Sequence, residues 1–94
     1  QQNRLRLIGS RDGREGSLTI HQDVDLYGSL LAAGKALAFT VRENRGVWLQ
    51  MVRGETTAAG QPMKAGDGLG IVQAGDWQIE ASADAEFLLF DLGA

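Results

Sequence analysis

Cysteine is absent from the 94 residues, and histidine occurs once, as His21. The first absence removes disulfides, thiolate nucleophiles and zinc–sulfur sites; the second removes any centre built from several imidazoles. Positive charge is in deficit, with 9 Lys and Arg against 12 Asp and Glu and a formal net charge of −3. A chain without clustered positive charge has no footprint for phosphate backbones, so nucleic acid is not expected as a partner. No apolar run approaches the roughly eighteen residues of a membrane span, and no signal-peptide apolar region follows Gln1-Gln2-Asn3-Arg4. No membrane partner is expected, and cytoplasm is the default compartment for such a chain. What remains is ordinary globular composition, 44% hydrophobic and 22% charged, enough for one domain with a thin core.

Proline occurs once, as Pro62, while 13 glycines are spread along the chain without a repeat period. Glycine spaced in this way marks turns between short strands. Arg4 to Ile8 alternates and ends at Gly9, and a polar loop from Ser10 to Gly16 carries an Asp12-Gly13 turn signal. Leu18 to His21, Asp25 to Leu31, and the alternating Leu37, Phe39 and Val41 follow as strands. Val47 to Arg53 is a near-continuous apolar run stopped by Gly54, which predicts a strand covered on both faces and a positive-φ turn at its end. Gly60 is read as part of a loop more tolerant of change. Glu55 to Ala58, Leu69 to Val72, Trp77 to Ala81 and Glu86 to Leu92 complete the set. The best helix candidates, Leu30 to Ala33 and Ala81 to Phe87, are short, hemmed by Gly or Asp, and lack a sustained 3.6-residue period. The fold class is therefore all-β, a sandwich or barrel.

Two stretches are specific. Val47-Trp48-Leu49-Gln50-Met51-Val52-Arg53-Gly54-Glu55 resembles the end of the first cupin motif, where an apolar strand runs into a Gly-Glu turn. Met63-Lys64-Ala65-Gly66-Asp67-Gly68 resembles the start of the second, in which Asp after Gly bonds nearby backbone amides. With Ser17 to Asp23 upstream and Glu86 to Leu92 closing, residues 1–94 together resemble the C-terminal cupin domain of pirin-like bicupins, the group that includes bacterial quercetin 2,3-dioxygenases. The resemblance implies one cupin-type β-barrel or jelly roll (a double-stranded β-helix). It also accounts for a chain that opens on Gln1 as the second half of a two-cupin protein, in preference to a processed stand-alone chain.

Active cupins hold a divalent metal through a G-x5-H-x-H-x3,4-E-x6-G segment and a later histidine, with open positions for substrate and dioxygen. Threaded from Gly34 to Gly54 and on through Gly66, the resemblance puts Thr40, Arg42, Val47 and Leu69 at the four ligand positions. None suits a transition metal. Strand alternation conflicts with this register, burying Leu37, Phe39 and Val41 instead; either way the metal ligands are lost. No cofactor is expected in this chain, and a divalent metal only in the N-terminal cupin of a longer parent.

Other polar residues read as structural. His21 is a strand-end imidazole, and Arg42-Glu43-Asn44-Arg45 a solvated hairpin tip. Asp76 and Asp84 are turn residues, and Glu80 and Glu86 alternate away from apolar neighbours. Gly66-Asp67-Gly68-Leu69-Gly70 lacks the helix that would make it a phosphate loop. Trp48 and Trp77 pack a core or face a partner barrel. The leading expectation is a non-catalytic, metal-free structural and interaction domain, partnered by an N-terminal cupin or by itself as a homodimer. The parent of such a domain would be a metal-dependent quercetin 2,3-dioxygenase. The alternative is a stand-alone cupin that binds a small organic ligand, or acts as a dioxygenase-type enzyme, in the barrel interior. Its pocket would be drawn from Thr40, Arg42, Gln50 and Gln73, with Arg42 pairing an anion.

Overall fold

The computed structural model describes residues 3–10, 18–19 and 24–93. His21 and its neighbours Gln22 and Asp23, the strand position Ile20 and the Asp12-Gly13 turn lie outside the described residues. In chain order the strands are β1 (Arg6–Ser10), β2 (Leu18–Thr19), β3 (Val24–Leu31), β4 (Ala36–Val41), β5 (Arg45–Arg53), β6 (Glu55–Ala58), β7 (Gln61–Lys64), β8 (Gly68–Ile71), β9 (Gly75–Ala81) and β10 (Ala85–Gly93). They form a six-stranded sheet of order β2-β1-β3-β10-β5-β8 facing a four-stranded sheet of order β4-β9-β6-β7. Every pairing is antiparallel except β1 with β2. Among the described residues no strand pairs across the two sheets, so the jelly roll consists of two facing sheets rather than a ring of hydrogen bonds closed all round.

The core lies between the sheets and is filled by the period-two alternation of both. From the smaller sheet come Leu37, Phe39, Val41, Ala58, Met63 and Ile79; from the larger come Leu31, Leu49, Met51, Ile71, Phe87 and Leu89. A fully buried Phe87, Leu49 or Ile79 each contributes about 1.5–3 kcal/mol of transfer free energy. One polar link crosses the core, where the buried Thr56 hydroxyl donates to the Met51 sulfur at 3.2 Å.

Two sequence expectations need correction. The strand Arg45–Arg53 is covered on one face only: Val47, Leu49 and Met51 are buried, while Trp48 and Val52 are 41% and 46% exposed. An unbroken apolar run does not distinguish a doubly covered strand from one whose outer face is exposed. Second, β7 has no counterpart in the sequence reading, because Pro62 is a poor strand former. It is tolerated at the sheet edge, where the missing N–H breaks no ladder. As their lack of a 3.6-residue period led one to expect, neither helix candidate forms. Leu30 and Leu31 finish β3, Ala81 finishes β9, and Ala85 to Phe87 open β10.

The chain passes between sheets at tight corners, and these set the site. Arg42 to Arg45 joins β4 to β5 as a turn closed by Arg45 N–H donating to the Arg42 carbonyl at 3.2 Å, with Asn44 at φ 62°. Asparagine tolerates this left-handed conformation better than most side chains. The next corner needs glycine. Gly54 has φ 82°, and a Cβ there would lie 2.1 Å from the Asp84 carbonyl oxygen.

Candidate functional site: an arginine–aspartate cluster and an outer apolar face

The strand register puts two acidic residues face to face. Asp91 of β10 is the direct cross-strand partner of Asp25 on β3. Both point into the space between the sheets, and they are 6% and 7% exposed. Like charges opposite one another on a sheet repel, and burial removes the water that would screen them. The corner turn supplies the remedy. Arg42 Nη2 donates to Asp91 Oδ2 at 2.7 Å and stands 3.7 Å from Asp25 Oδ2. Arg45 Nε donates to Asp91 Oδ1 at 2.6 Å, and its Nη2 donates to the Asp91 carbonyl at 3.2 Å. Two carboxylates and two guanidiniums make a cluster of zero formal charge.

This corrects the solvated-tip reading for the two arginines, which pair buried acids, while Glu43 and Asn44 between them are exposed. Both arginines fold back under the sheet end because buried carboxylates there need them. Asp25, Arg45 and Asp91 escaped the sequence reading, although a signal was present. Asp91 shares its strand parity with Phe87 and Leu89, and Asp25 shares its parity with Leu31, which places both acids on the buried face.

Beside the cluster is a cavity of 330 Å³, with Leu5, Tyr27, Phe39 and Leu89 on its apolar side and Thr40, Arg42 and Asp91 on its polar side. Alternation decides the register on β4: Leu37, Phe39 and Val41 are buried, while Thr40 is exposed and donates to Asp76 Oδ1 at 2.8 Å. The motif threading that would turn Thr40 inward does not hold, because three apolar side chains gain more from the core than one hydroxyl. Val47 is buried opposite Asp91 and Ile71, and Leu69 packs half-buried opposite Leu49. Gln50 and Gln73 do not join Thr40 and Arg42. Gln50 lies on the outer face of β5, where it accepts from Trp48 Nε1 at 3.1 Å and donates to the Gly66 and Asp67 carbonyls. Gln73 is exposed between β8 and β9, and its carbonyl accepts from Trp77 Nε1 at 3.1 Å.

The residues at this end do not fit a divalent metal. Phe39, Val41, Val47 and Leu69 offer carbon, and the two carboxylates already face guanidiniums that would repel a cation. Among the described residues no three of His, Cys, Asp and Glu gather as a metal would need. Two further acids are committed elsewhere: Asp84 accepts from Ala33 N–H at 2.9 Å, and Glu86 pairs Arg53 at 3.0 Å. A second cavity, of 360 Å³, is lined in part by Glu55, Lys64 and Asp67. There the Asp67 carboxylate accepts from Lys64 N–H at 3.0 Å and the Glu55 backbone carbonyl accepts from the Ser82 hydroxyl at 3.2 Å.

The outer face of the six-stranded sheet is the other feature that asks for a role. Strands of an antiparallel sheet with one wet face alternate apolar-in and polar-out. Here β10 is apolar on both faces, with Leu88, Phe90 and Leu92 outward, and Phe90 sits between Leu26 of β3 and Trp48 of β5. Leu30, Trp48, Val52 and Leu92 are 36–46% exposed on the described chain.

The family model for the quercetinase C-terminal cupin domain matches residues 7–92. A quercetin 2,3-dioxygenase of Escherichia coli strain K12 is 40% identical over 86 residues, a match covering 92% of this chain and 37% of that protein. The chain thus spans little more than a third of the curated relatives it matches. The crystal structure of YhhW from Escherichia coli superposes with a TM-score of 0.91 at 38% identity, covering 96% of this chain and 38% of that one. The bacterial pirin YhhW in complex with nickel(II) gives a TM-score of 0.90 at 38% identity, covering 95% of this chain and 39% of that one. No helix of the described residues is long and apolar enough to cross a membrane.

Proposed function

The chain belongs to the quercetinase C-terminal cupin domain family, of pirin type, and from that membership we propose that it is a non-catalytic, metal-free interaction domain of a cytoplasmic two-cupin protein. Its partner is an N-terminal cupin that carries the divalent metal and, in a protein that acts as a quercetin 2,3-dioxygenase, the oxidative chemistry. The observation that carries this reading is the chemistry of the inward positions. Where an active cupin presents imidazoles and a carboxylate, this chain packs Phe39, Val41 and Val47 at 4%, 1% and 2% exposure. These side chains supply core stability at the cost of any ligand set. The outer face supports the other half of the proposal, since an apolar sheet surface is what one barrel offers another.

In this reading the arginine–aspartate cluster is architectural. It ties the corner between the sheets to β10 and β3, the strands that also carry Leu88, Phe90 and Leu30 on the outer face. Dialysis of the purified chain against nickel, iron or copper, followed by elemental analysis, tests the metal-free assignment. Well under one equivalent per chain is expected. One tightly held metal per chain would overturn it.

A further inference from the structure

We infer that the cavity beside Arg42 is a binding site for a small aryl carboxylate, a single-ring molecule whose anionic end pairs the guanidinium. The volume of 330 Å³ lies at the small end of the range for ligand sites, about 300–1,000 Å³, and suits one ring. Its two sides differ in chemistry. Tyr27, Phe39 and Leu89 form a partly aromatic wall, against which a flat ring packs edge or face. Arg42 stands on the polar side with most of its donors unspent: its hydrogen bonding among the described residues is through Nη2, to Asp91. The second N–H of Nη2, with the neighbouring N–H of Nε or Nη1 on that side of the guanidinium, is left for a planar acceptor with two oxygens.

The nearby carboxylates do not forbid an anion. Asp25 and Asp91 are buried and balanced by Arg42 and Arg45. The charge the cavity presents to solvent is that of Arg42, whose side chain is 54% exposed against 9% for Asp91. The grip of Asp91 also holds the guanidinium in place before any ligand arrives, so binding costs little further side-chain entropy. The described residues lining the second cavity include no aromatic side chain, and they set two acids, Glu55 and Asp67, against one lysine, Lys64. The site lies between the sheets and away from the outer apolar face, so it stands or falls separately from the interaction role.

Calorimetric titration of the whole chain with benzoate, benzamide and acetate tests the proposal, with amide NMR shifts locating the site. Benzoate is expected to bind with a Kd of about 0.1–1 mM. Benzamide, which lacks the charge, and acetate, which lacks the ring, should each bind about tenfold more weakly. Shifts should centre on Tyr27, Phe39 and Leu89. Arg42→Gln should weaken benzoate about tenfold and leave benzamide unchanged, and Arg42→Lys should restore part of the loss, because it keeps the charge without the fork. Should Arg42→Gln fail to fold, the three-probe comparison on the unaltered chain decides the matter alone. No benzoate binding by about 10 mM, equal binding of benzamide, or shifts centred on Lys64 or on the outer face would overturn the proposal.

Discussion

The indole of Trp48 lies against the backbone of Gly68, so closely that a Cβ on Gly68 would stand 2.2 Å from its Cζ2 atom. Gly70, the cross-strand partner of Trp48, supports the same ring. The Gly66 to Gly70 run, which as sequence suggests a phosphate loop, is instead the seat of an aromatic side chain on an edge strand. Gly68→Ala should displace the indole and break the Trp48–Gln50 hydrogen bond, at a cost of about 1–2 kcal/mol. Fluorescence in a Trp77→Phe background should shift to longer wavelength. An unchanged spectrum would mean the indole does not rest there.

Asp91 is held by two arginines, and Glu86 by one on the exposed surface. Asp91→Asn should cost about 2–3 kcal/mol, because it removes a carboxylate that the largely buried Arg45 and Arg42 both bind. Glu86→Gln should cost less than about 1 kcal/mol, since the pair it breaks is wet on both sides. Urea unfolding of the two variants compares them directly. Equal midpoints would show that the cluster adds nothing beyond a surface pair.

Gly54 and Gly60 both have left-handed backbones, φ 82° and 75°. The tolerance read for Gly60 therefore needs adjustment: any L residue there bears a strain of about 1–2 kcal/mol. Space separates the two sites. A Cβ on Gly60 meets nothing within 4 Å, while one on Gly54 strikes the Asp84 carbonyl and Ala85 Cα. Gly60→Ala should cost about 1 kcal/mol and Gly54→Ala about 3 kcal/mol or more. Matching melting temperatures would contradict the corner geometry.

The outer apolar face predicts association of the isolated chain at micromolar concentration. Contacts of this kind survive salt, because screening weakens charge pairs and leaves apolar burial intact. Sedimentation should show a dimer at both 0.1 M and about 1 M salt, and the pair Val52→Lys and Leu92→Lys should yield a monomer. A 10.1 kDa monomer for the unaltered chain at every concentration would remove the outer face from consideration.

Sequence alone determined the strands whose alternation was unbroken. Leu37, Phe39 and Val41 on β4 announced both their strand and its buried face, because a period of two fixes facing without knowledge of the partner. The edge strand carrying Pro62 was not legible, since proline is permitted there only by a neighbour on one side and solvent on the other. The charge cluster was a tertiary matter throughout. Asp25 and Asp91 are 66 positions apart in the chain, and only strand pairing sets them opposite one another; only the corner between the sheets then brings Arg42 and Arg45 back to them. The outer face of β5 belongs with these. An apolar run such as Val47 to Val52 does not say which face lies inside, and the packing of the second sheet decides that Val47, Leu49 and Met51 are buried while Trp48 and Val52 are exposed.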